Sequence, residues 1–250
     1  MRSILRYLFL ATMVSALAAF GSGTAFATSI GTPSAASVAA VTPSAGQVVG
    51  IAHPVTIQFT AAVVDRARAE RAIDIKSTRS LAGTFAWTND REVTWTPTGF
   101  LPARSPISVR IGSARTEFRT NVGVIADGNM SNHTFTVTVG GGAPRVMPAS
   151  MGKPGRETPS GTFPILEQFR SIVFDSRTIG IPLNSSEGYL LNGEYAERLT
   201  WGGVFVHSAP WSVDSQGYAN VSHGCINLSP DDAAWYYEIA SIGDPVSMHW

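Results

Sequence analysis

The stretch that decides the fold is residues 202–228, with the sequence GGVFVHSAPWSVDSQGYANVSHGCINL. It contains Cys225, the only cysteine of the 250-residue chain, inside the segment SHGCIN at residues 222–227. His207 follows the uninterrupted apolar run at residues 204–206, which predicts a strand buried on both faces. We therefore expect His207 to emerge at a strand end, in the same region of the fold as the thiol.

Cys225 has neighbours that favour chemistry over packing. The alternative is a small buried hydrophobic residue, the most frequent role of a free cysteine. Here Gly224 and His223 precede the thiol and Asn227 follows it closely. A thiolate is the nucleophilic form, and its pKa falls from roughly 8.5 to roughly 3.5–7.5 beside a histidine or a cation. A Cys–His pair needs closeness in space rather than in sequence, so His207 is the candidate partner.

A zinc site is the second alternative for these side chains. His207, His223 and Cys225 could together ligate a metal ion. The sequence has only one cysteine and no HExxH motif, so the usual zinc spacings are absent. We therefore predict no metal and no cofactor.

The order of these residues resembles the active-site signature of the L,D-transpeptidases, the YkuD-type peptidoglycan cross-linking enzymes. The segment GKPGRETPSGTF at residues 152–163 resembles a second motif of the family. The likeness covers about residues 121–250, and the region before it resembles the immunoglobulin-like domain of actinobacterial members. The resemblance implies a cysteine enzyme that forms 3-3 cross-links between donor and acceptor stem peptides of peptidoglycan. It also implies inhibition by carbapenem-type β-lactams.

The resemblance assigns roles to Cys225 and His207, and the residues next to them are candidates for the supporting roles. Cys225 is the nucleophile that forms a thioester, and His207 is its general base. Ser208 is the candidate that orients the imidazole, through its backbone carbonyl. Backbone N–H groups of His223, Gly224 and Cys225 are the candidate oxyanion donors.

A second set of residues is predicted to bind substrate or to shape its pocket. Tyr189 and Trp201 lie in a stretch that caps the pocket in the family, and Gly203 follows it. Ser222 and Asn227 are expected to hold the loop that carries Cys225, residues 222–225, which we call the nucleophile loop. Related sequences often carry tyrosine where this chain has Trp201, and ordinary packing is the alternative for both aromatic residues.

The N-terminus predicts export to the cell envelope. Arg2 and Arg6 precede an apolar run at residues 7–20, and Ala25-Phe26-Ala27 is an A-x-A cleavage site. The run is shorter than the roughly 20 residues of a bilayer span, although an uncleaved anchor is the alternative and would be the only membrane contact. Cleavage after residue 27 removes two of 18 basic residues and none of 18 acidic ones. The slightly acidic remainder gives no support for nucleic-acid binding.

The remaining chain predicts a mainly β protein of two domains. Residues 28–45 are rich in Ala, Ser, Thr and Pro and predict a flexible linker. Residues 46–120 contain short alternating runs, including a hairpin around residues 88–91 and one helical piece at 65–72, and predict an immunoglobulin-like sandwich.

Residues 121–250 predict a β-rich catalytic domain with one principal helix. Strands are expected at 133–139, 145–151 and 162–166, and a helix capped by Ser229 continues to residue 240. The weakly periodic, polar stretch at 170–203 predicts a lid or binding loop.

Three other functions compete with cross-linking. Water in place of the acceptor amine would make the protein a carboxypeptidase. A non-catalytic envelope-binding protein is possible in principle, but it would not need Cys225 and His207 together. A sortase also uses His before Cys, yet it needs an arginine after the cysteine, and the last arginine here is Arg198.

Overall fold

The computed structural model describes residues 37–250. The predicted export signal and the first part of the predicted linker lie outside these residues. The linker prediction is wrong for its second part, because Val38–Thr42 forms a strand that pairs antiparallel with Val55–Phe59. Val38 and Val41 pack against the core of the first domain, and this apolar contact stabilises the segment as an edge strand.

Eight strands and one short helix make up the first domain. The strands are β1 (Val38–Thr42), β2 (Val48–Val49), β3 (Val55–Phe59), β4 (Ile73–Lys76), β5 (Gly83–Trp87), β6 (Glu92–Pro97), β7 (Pro106–Ile111) and β8 (Ala114–Thr120), with helix α1 at Arg66–Arg71. They form two four-stranded sheets, in the orders β1-β3-β6-β5 and β2-β8-β7-β4. The predicted hairpin is confirmed, since β5 and β6 pair antiparallel across residues 88–91.

The two sheets of this sandwich share one core. Ile57 and Val93 from the first sheet and Ile107 and Phe118 from the second are fully buried in a single apolar cluster. These residues alternate along their strands with more exposed ones, as a half-buried sheet requires. Trp95 is also buried in this cluster.

The second domain has nine strands and one α-helix of ten residues. The strands are β9 (Val124–Asn129), β10 (Thr134–Val139), β11 (Arg145–Pro148), β12 (Gly161–Pro164), β13 (Glu167–Asp175), β14 (Leu190–Arg198), β15 (Phe205–Ser208), β16 (Ile226–Leu228) and β17 (Pro245–His249), with helix α2 at Pro230–Ile239. One sheet has the order β11-β10-β9-β17-β12 and the other β13-β14-β15-β16. The predicted fold class, mainly β with one principal helix, is confirmed.

Helix α2 starts as its sequence predicts. Ser229 Oγ accepts the N–H of Asp232 at 3.2 Å, Pro230 occupies the first turn, and two aspartates lie near the positive end of the helix dipole. Tyr236 on the buried face contacts the edge of Phe135, with ring centroids 5.1 Å apart. The helix thereby closes the core that both sheets of this domain share. Within residues 37–250, no helix is long and apolar enough to cross a membrane.

Residues 170–203 are mostly a β-hairpin, so the prediction of a long loop is wrong there. Strands β13 and β14 pair antiparallel from Glu167 opposite Arg198 to Asp175 opposite Leu190. Residues 176–189 form an irregular tip, which begins with a 3₁₀ turn at Ser176–Ile179, and residues 199–203 form the irregular connection from β14 toward the next strand. The far half of the hairpin is largely exposed, so its sequence lacks the apolar alternation that reveals a half-buried strand.

The sandwich holds the turn that leads from α2 into β17. The N–H of Gly50 donates to Ile242 O at 2.8 Å, and the Asn121 side-chain amide donates to both carboxylate oxygens of Asp244, at 2.8 and 3.0 Å. A Cβ on Gly50 would lie 1.9 Å from the Asp244 backbone nitrogen, so only glycine fits this contact. The first domain therefore contacts the second at the turn that leads into β17 of its five-stranded sheet.

Candidate active site

Strands β15 and β16 place the predicted nucleophile and base side by side. They pair in parallel, with Val206 opposite Ile226 and His207 opposite Asn227. Cys225 immediately precedes β16, and His207 is the third of the four residues of β15, one residue before the end of that strand. Both side chains line one cleft of about 540 Å³. Parallel pairing thus brings together two residues that are far apart in sequence.

His207 is held as a neutral imidazole. It is 4% exposed, and its Nδ1 hydrogen-bonds the Ser208 carbonyl oxygen at 2.8 Å. A carbonyl only accepts, so Nδ1 carries the proton and the Nε2 lone pair is left as the base. The ring packs near the rings of Phe174 and Trp211, with centroids 4.6 and 5.9 Å away. Burial lowers the pKa of His207 from 6.5 to about 4, against the opposing effect of the Ser208 hydrogen bond.

The Cys225 thiol is partly buried and protonated in the resting site. Its Sγ donates to the carbonyl oxygen of Gly203 at 3.6 Å. Gly203 has a φ of +95°, a left-handed conformation that glycine adopts without strain. Burial raises the pKa of Cys225 from 9.0 to about 11, although a hydrogen bond from the Phe205 backbone opposes the rise. The expectation of a lowered thiol pKa is therefore wrong for this state, because an uncharged imidazole offers the thiolate no compensating charge.

Ser222 and Gly224 shape the loop that carries the thiol. Ser222 Oγ accepts the N–H of Gly224 at 3.1 Å and donates to the carbonyl oxygen of Cys225 at 2.6 Å. Gly224 has a φ of +119°, which a side chain would strain. The prediction that the Gly224 N–H is a free oxyanion donor is wrong, because this N–H already donates to Ser222 Oγ. The backbone N–H groups of His223 and Cys225 remain as candidates.

The glycine-rich segment at residues 152–163 forms hydrogen bonds with this loop, a contact that the sequence did not predict. Thr158 is buried, and its Oγ1 donates to Gly224 O at 2.8 Å while accepting the N–H of Gly152 at 2.9 Å. The N–H of Lys153 donates to Ser222 O at 3.0 Å. The motif at residues 152–163 signalled the importance of this segment but not these contacts. The segment fixes the loop that carries Cys225 through these hydrogen bonds.

Asn227 is fixed by contacts on the far side of the nucleophile strand. Its backbone N–H and carbonyl both bond with Ser150, at 2.8 and 3.0 Å. Its side-chain amide donates to Ser212 Oγ at 3.0 Å. Asn227 lines the cleft at 3% exposure. The contacts agree with a role in holding the loop.

Three aromatic rings form the open side of the cleft. The Tyr189 ring lies 5.2 Å from the ring of His223 at 48°, and burial raises the pKa of its phenol. Trp201 lines the cleft but is 74% exposed, with the Arg198 guanidinium 5.6 Å from its ring centroid. Trp211, which sequence reasoning did not single out, contacts the His207 ring on this side. Within residues 37–250, no three His, Cys, Asp or Glu side chains group as a metal site would require.

Comparisons with known proteins agree with this site. A family model for the L,D-transpeptidase catalytic domain matches residues 123–248, and a model for a bacterial Ig domain matches residues 7–115. L,D-transpeptidase 1 of Mycobacterium tuberculosis is 52% identical over 211 residues, which cover 84% of each chain. The chain belongs to the L,D-transpeptidase family. Both predicted domain types are thereby confirmed.

Solved structures of relatives share the fold and the sequence. An L,D-transpeptidase from Mycobacterium smegmatis matches with a TM-score of 0.82 at 55% identity, covering 86% of this chain and 99% of that one. LdtMt1 in complex with imipenem matches with a TM-score of 0.81 at 51% identity and the same coverage. L,D-transpeptidase 3 of Mycobacterium tuberculosis, in complex with a faropenem-derived adduct, matches with a TM-score of 0.79 at 43% identity, covering 86% and 98%. Two of these relatives were thus solved with β-lactam compounds.

Proposed function

We propose that this protein is an exported peptidoglycan L,D-transpeptidase that forms 3-3 cross-links through a thioester on Cys225. The observation that carries the proposal is the juxtaposition of Cys225 with His207 in one cleft, with His207 Nδ1 committed to the Ser208 carbonyl. This hydrogen bond fixes the tautomer that leaves Nε2 as a proton acceptor. Family membership supports the reaction class, and the N-terminal sequence supports export.

Acylation begins when Sγ of Cys225 bonds to the carbonyl carbon between residues three and four of a donor stem. The thiol proton passes to Nε2 of His207 as the bond forms. Backbone N–H groups of His223 and Cys225 stabilise the negative charge on the carbonyl oxygen. The tetrahedral adduct then breaks its C–N bond, and the imidazolium gives its proton to the departing amine. The donor stem is left as a thioester.

Deacylation repeats these steps with a second stem as nucleophile. Its side-chain amine attacks the thioester carbon, and Nε2 of His207 takes the amine proton. The C–S bond breaks, and the proton returns to Sγ of Cys225. One new amide bond has replaced one peptide bond, so no cofactor or external energy source is required. Water as the nucleophile would instead release a shortened stem.

The remaining predicted residues position the substrate. Tyr189 and Trp201 line the cleft beside the nucleophile loop, and aromatic rings there can pack against the stem peptide. Gly203 contributes a backbone carbonyl that accepts from the resting thiol. We infer that this carbonyl is released as the thiol attacks, and that it then faces the bound donor. Carbapenem-type β-lactams should acylate the same thiol, because they present a strained amide to the same donor site.

Intact-protein mass after incubation with a carbapenem tests the proposal. The native protein should gain one inhibitor mass, and Cys225→Ala should gain none. A tetrapeptide donor supplied with an acceptor stem should then yield a cross-linked dimer, whereas the donor alone reports hydrolysis. A predominance of shortened stems would indicate a carboxypeptidase. No adduct on Cys225 from either reagent would refute an enzymatic role.

A further inference from the structure

A charged cluster joins three segments at the edge of the active-site cleft. Glu187, at the tip of the β13–β14 hairpin, forms ion pairs with Lys153 and, at 3.8 Å, with Arg156. Its Oε2 also lies 3.8 Å from Nε2 of His223, which is buried without a hydrogen-bond partner within the described residues. Lys153 and Arg156 belong to the glycine-rich segment, and His223 belongs to the nucleophile loop. One carboxylate therefore connects the hairpin tip with both segments that hold Cys225.

The hairpin tip presents Glu187 from a fixed backbone. A Cβ on Gly188 would lie 2.5 Å from the carbonyl oxygen of Leu183, so the chain folds back on itself at a position that only glycine fits. The N–H of Tyr189 donates to Ser176 Oγ at 3.1 Å, and the Ser176 N–H donates to the Tyr189 carbonyl at 3.0 Å. Residues 176–189 thus form a closed unit, which we call the lid.

The opposite side of the ion pair is anchored independently of the lid. The N–H of Lys153 donates to Ser222 O at 3.0 Å, and the N–H of Arg156 donates to Lys153 O at 2.8 Å. A Cβ on Gly152 would lie 2.1 Å from the Arg156 carbonyl oxygen, so this turn is equally tight. The backbone that carries both cationic side chains is therefore tied to the nucleophile loop by contacts that do not involve the lid.

The ion pair holds an aromatic ring over the nucleophile loop. Tyr189, two residues after Glu187, lies with its ring 5.2 Å from that of His223. Glu187, Tyr189, His223 and Cys225 all line the same cleft. The hydrogen bond from Lys153 lowers the pKa of Glu187, so the carboxylate is charged at neutral pH. Releasing Glu187 would free the lid to move away from the thiol together with Tyr189.

We propose that Glu187 is a positioning residue, and that its pairing with Lys153 holds the lid closed over Cys225 and limits the access of bulky acyl donors. The inference goes beyond the proposed function, because it concerns access to the thiol and not the fate of a thioester. Partly exposed ion pairs are weak, so the closed state should be favoured only modestly. A modest preference suits a lid that must open in each cycle.

The ratio of two alkylation rates at Cys225 measures lid opening without turnover. Iodoacetamide is small and a polyethylene-glycol maleimide is bulky, and both are uncharged. Comparing variants by the ratio of the bulky to the small rate cancels changes in thiolate fraction. We expect Glu187→Gln to raise this ratio about twofold to fivefold, as expected for loss of one weak ion pair. High salt should raise the ratio in the native protein but not in Glu187→Gln, because salt screens the pair.

A matched control and a double variant separate the effect of the Glu187–Lys153 ion pair from a general effect of changing charge on the hairpin. Glu194→Gln makes the same chemical change at an exposed position of the same hairpin, and should leave the ratio unchanged. Lys153→Met should raise the ratio by no more than Glu187→Gln does, because Glu187 keeps its pair with Arg156 in that variant. The double variant should raise the ratio no further than Glu187→Gln alone, because Glu187→Gln already removes the pair with Lys153. A ratio within twofold of native in Glu187→Gln, or full additivity in the double variant, would overturn the proposal. Loss of cross-linking with these ratios as expected would count only against the proposed function.

Discussion

The resting state of the Cys225 thiol leads to a quantitative prediction. Burial raises its pKa from 9.0 to about 11. Two pKa units mean about 100-fold less thiolate at any pH below both values, or about 2.7 kcal/mol against ionisation. At pH 7 the thiolate fraction then falls from about one in 10² to about one in 10⁴. Since only the thiolate is nucleophilic, the folded protein should react slowly with a simple alkylating reagent.

The perturbation is a change of pH, and the chain supplies its own reference. Cys225 is the only cysteine, so the protein unfolded in urea presents the same thiol without burial. Alkylation by iodoacetamide would be followed by intact-protein mass between pH 6 and pH 10. The unfolded chain should level off as the pH passes about 9. The folded protein should still gain about tenfold in rate per pH unit at pH 9.5, because its pKa lies above that value.

The shape of this profile separates burial from steric hindrance. Hindrance lowers every rate by one factor and leaves the pH dependence unchanged, whereas burial moves the point at which the rate levels off. A folded-state profile that is flat from about pH 6 to pH 8 would refute the reasoning. Such a profile would indicate an imidazolium–thiolate pair, and His207→Ala should then abolish the plateau.

Two further predictions concern buried and catalytic groups. His207→Ala should slow acylation of Cys225 by a carbapenem by about 10²–10⁴-fold, the usual effect of losing a general base, while His223→Ala should cost less because its backbone N–H remains. Time-resolved mass spectrometry would compare the two, and a larger loss in His223→Ala would reverse the assignment. Burial raises the pKa of Glu197 well above its ordinary value of 4.5, so the free energy of unfolding should fall as the pH rises above 4.5. Glu197→Gln should therefore raise the free energy of unfolding at pH 8 but barely at pH 4. Urea titrations would test this, with Glu194→Gln as the exposed control, and an equal gain at both pH values would contradict it.

Local sequence was sufficient to predict the elements that are determined by neighbouring residues or by a continuous motif. The start of α2 could be predicted because Ser229 and Pro230 satisfy and preorganise the first turn by themselves. The Cys225–His207 pair could be predicted because a long ordered motif carries it. The β5–β6 hairpin was equally visible, since alternating strands flank a short polar turn.

Non-local packing decided what the sequence could not show. The β13–β14 hairpin is held by cross-strand pairing, and its exposed far half offers no apolar alternation to read. Ser222 occupies the Gly224 N–H only because the loop folds back on itself. The pKa of Cys225 depends on how completely the folded protein excludes water from the thiol, which no single residue of the sequence reveals.

The charge state of the pair constrains when the nucleophile can form. Burial lowers the pKa of His207 to about 4 and raises that of Cys225 to about 11, so it opposes transfer of the thiol proton to the imidazole. In the proposed mechanism we therefore expect the thiolate to appear together with the C–S bond, as negative charge passes from sulfur to the carbonyl oxygen and to the candidate backbone donors. In such a site the acyl donor completes the catalytic machinery by accepting that charge. A closed lid favours the same order of events, because excluding water strengthens the donors at the moment when the charge develops.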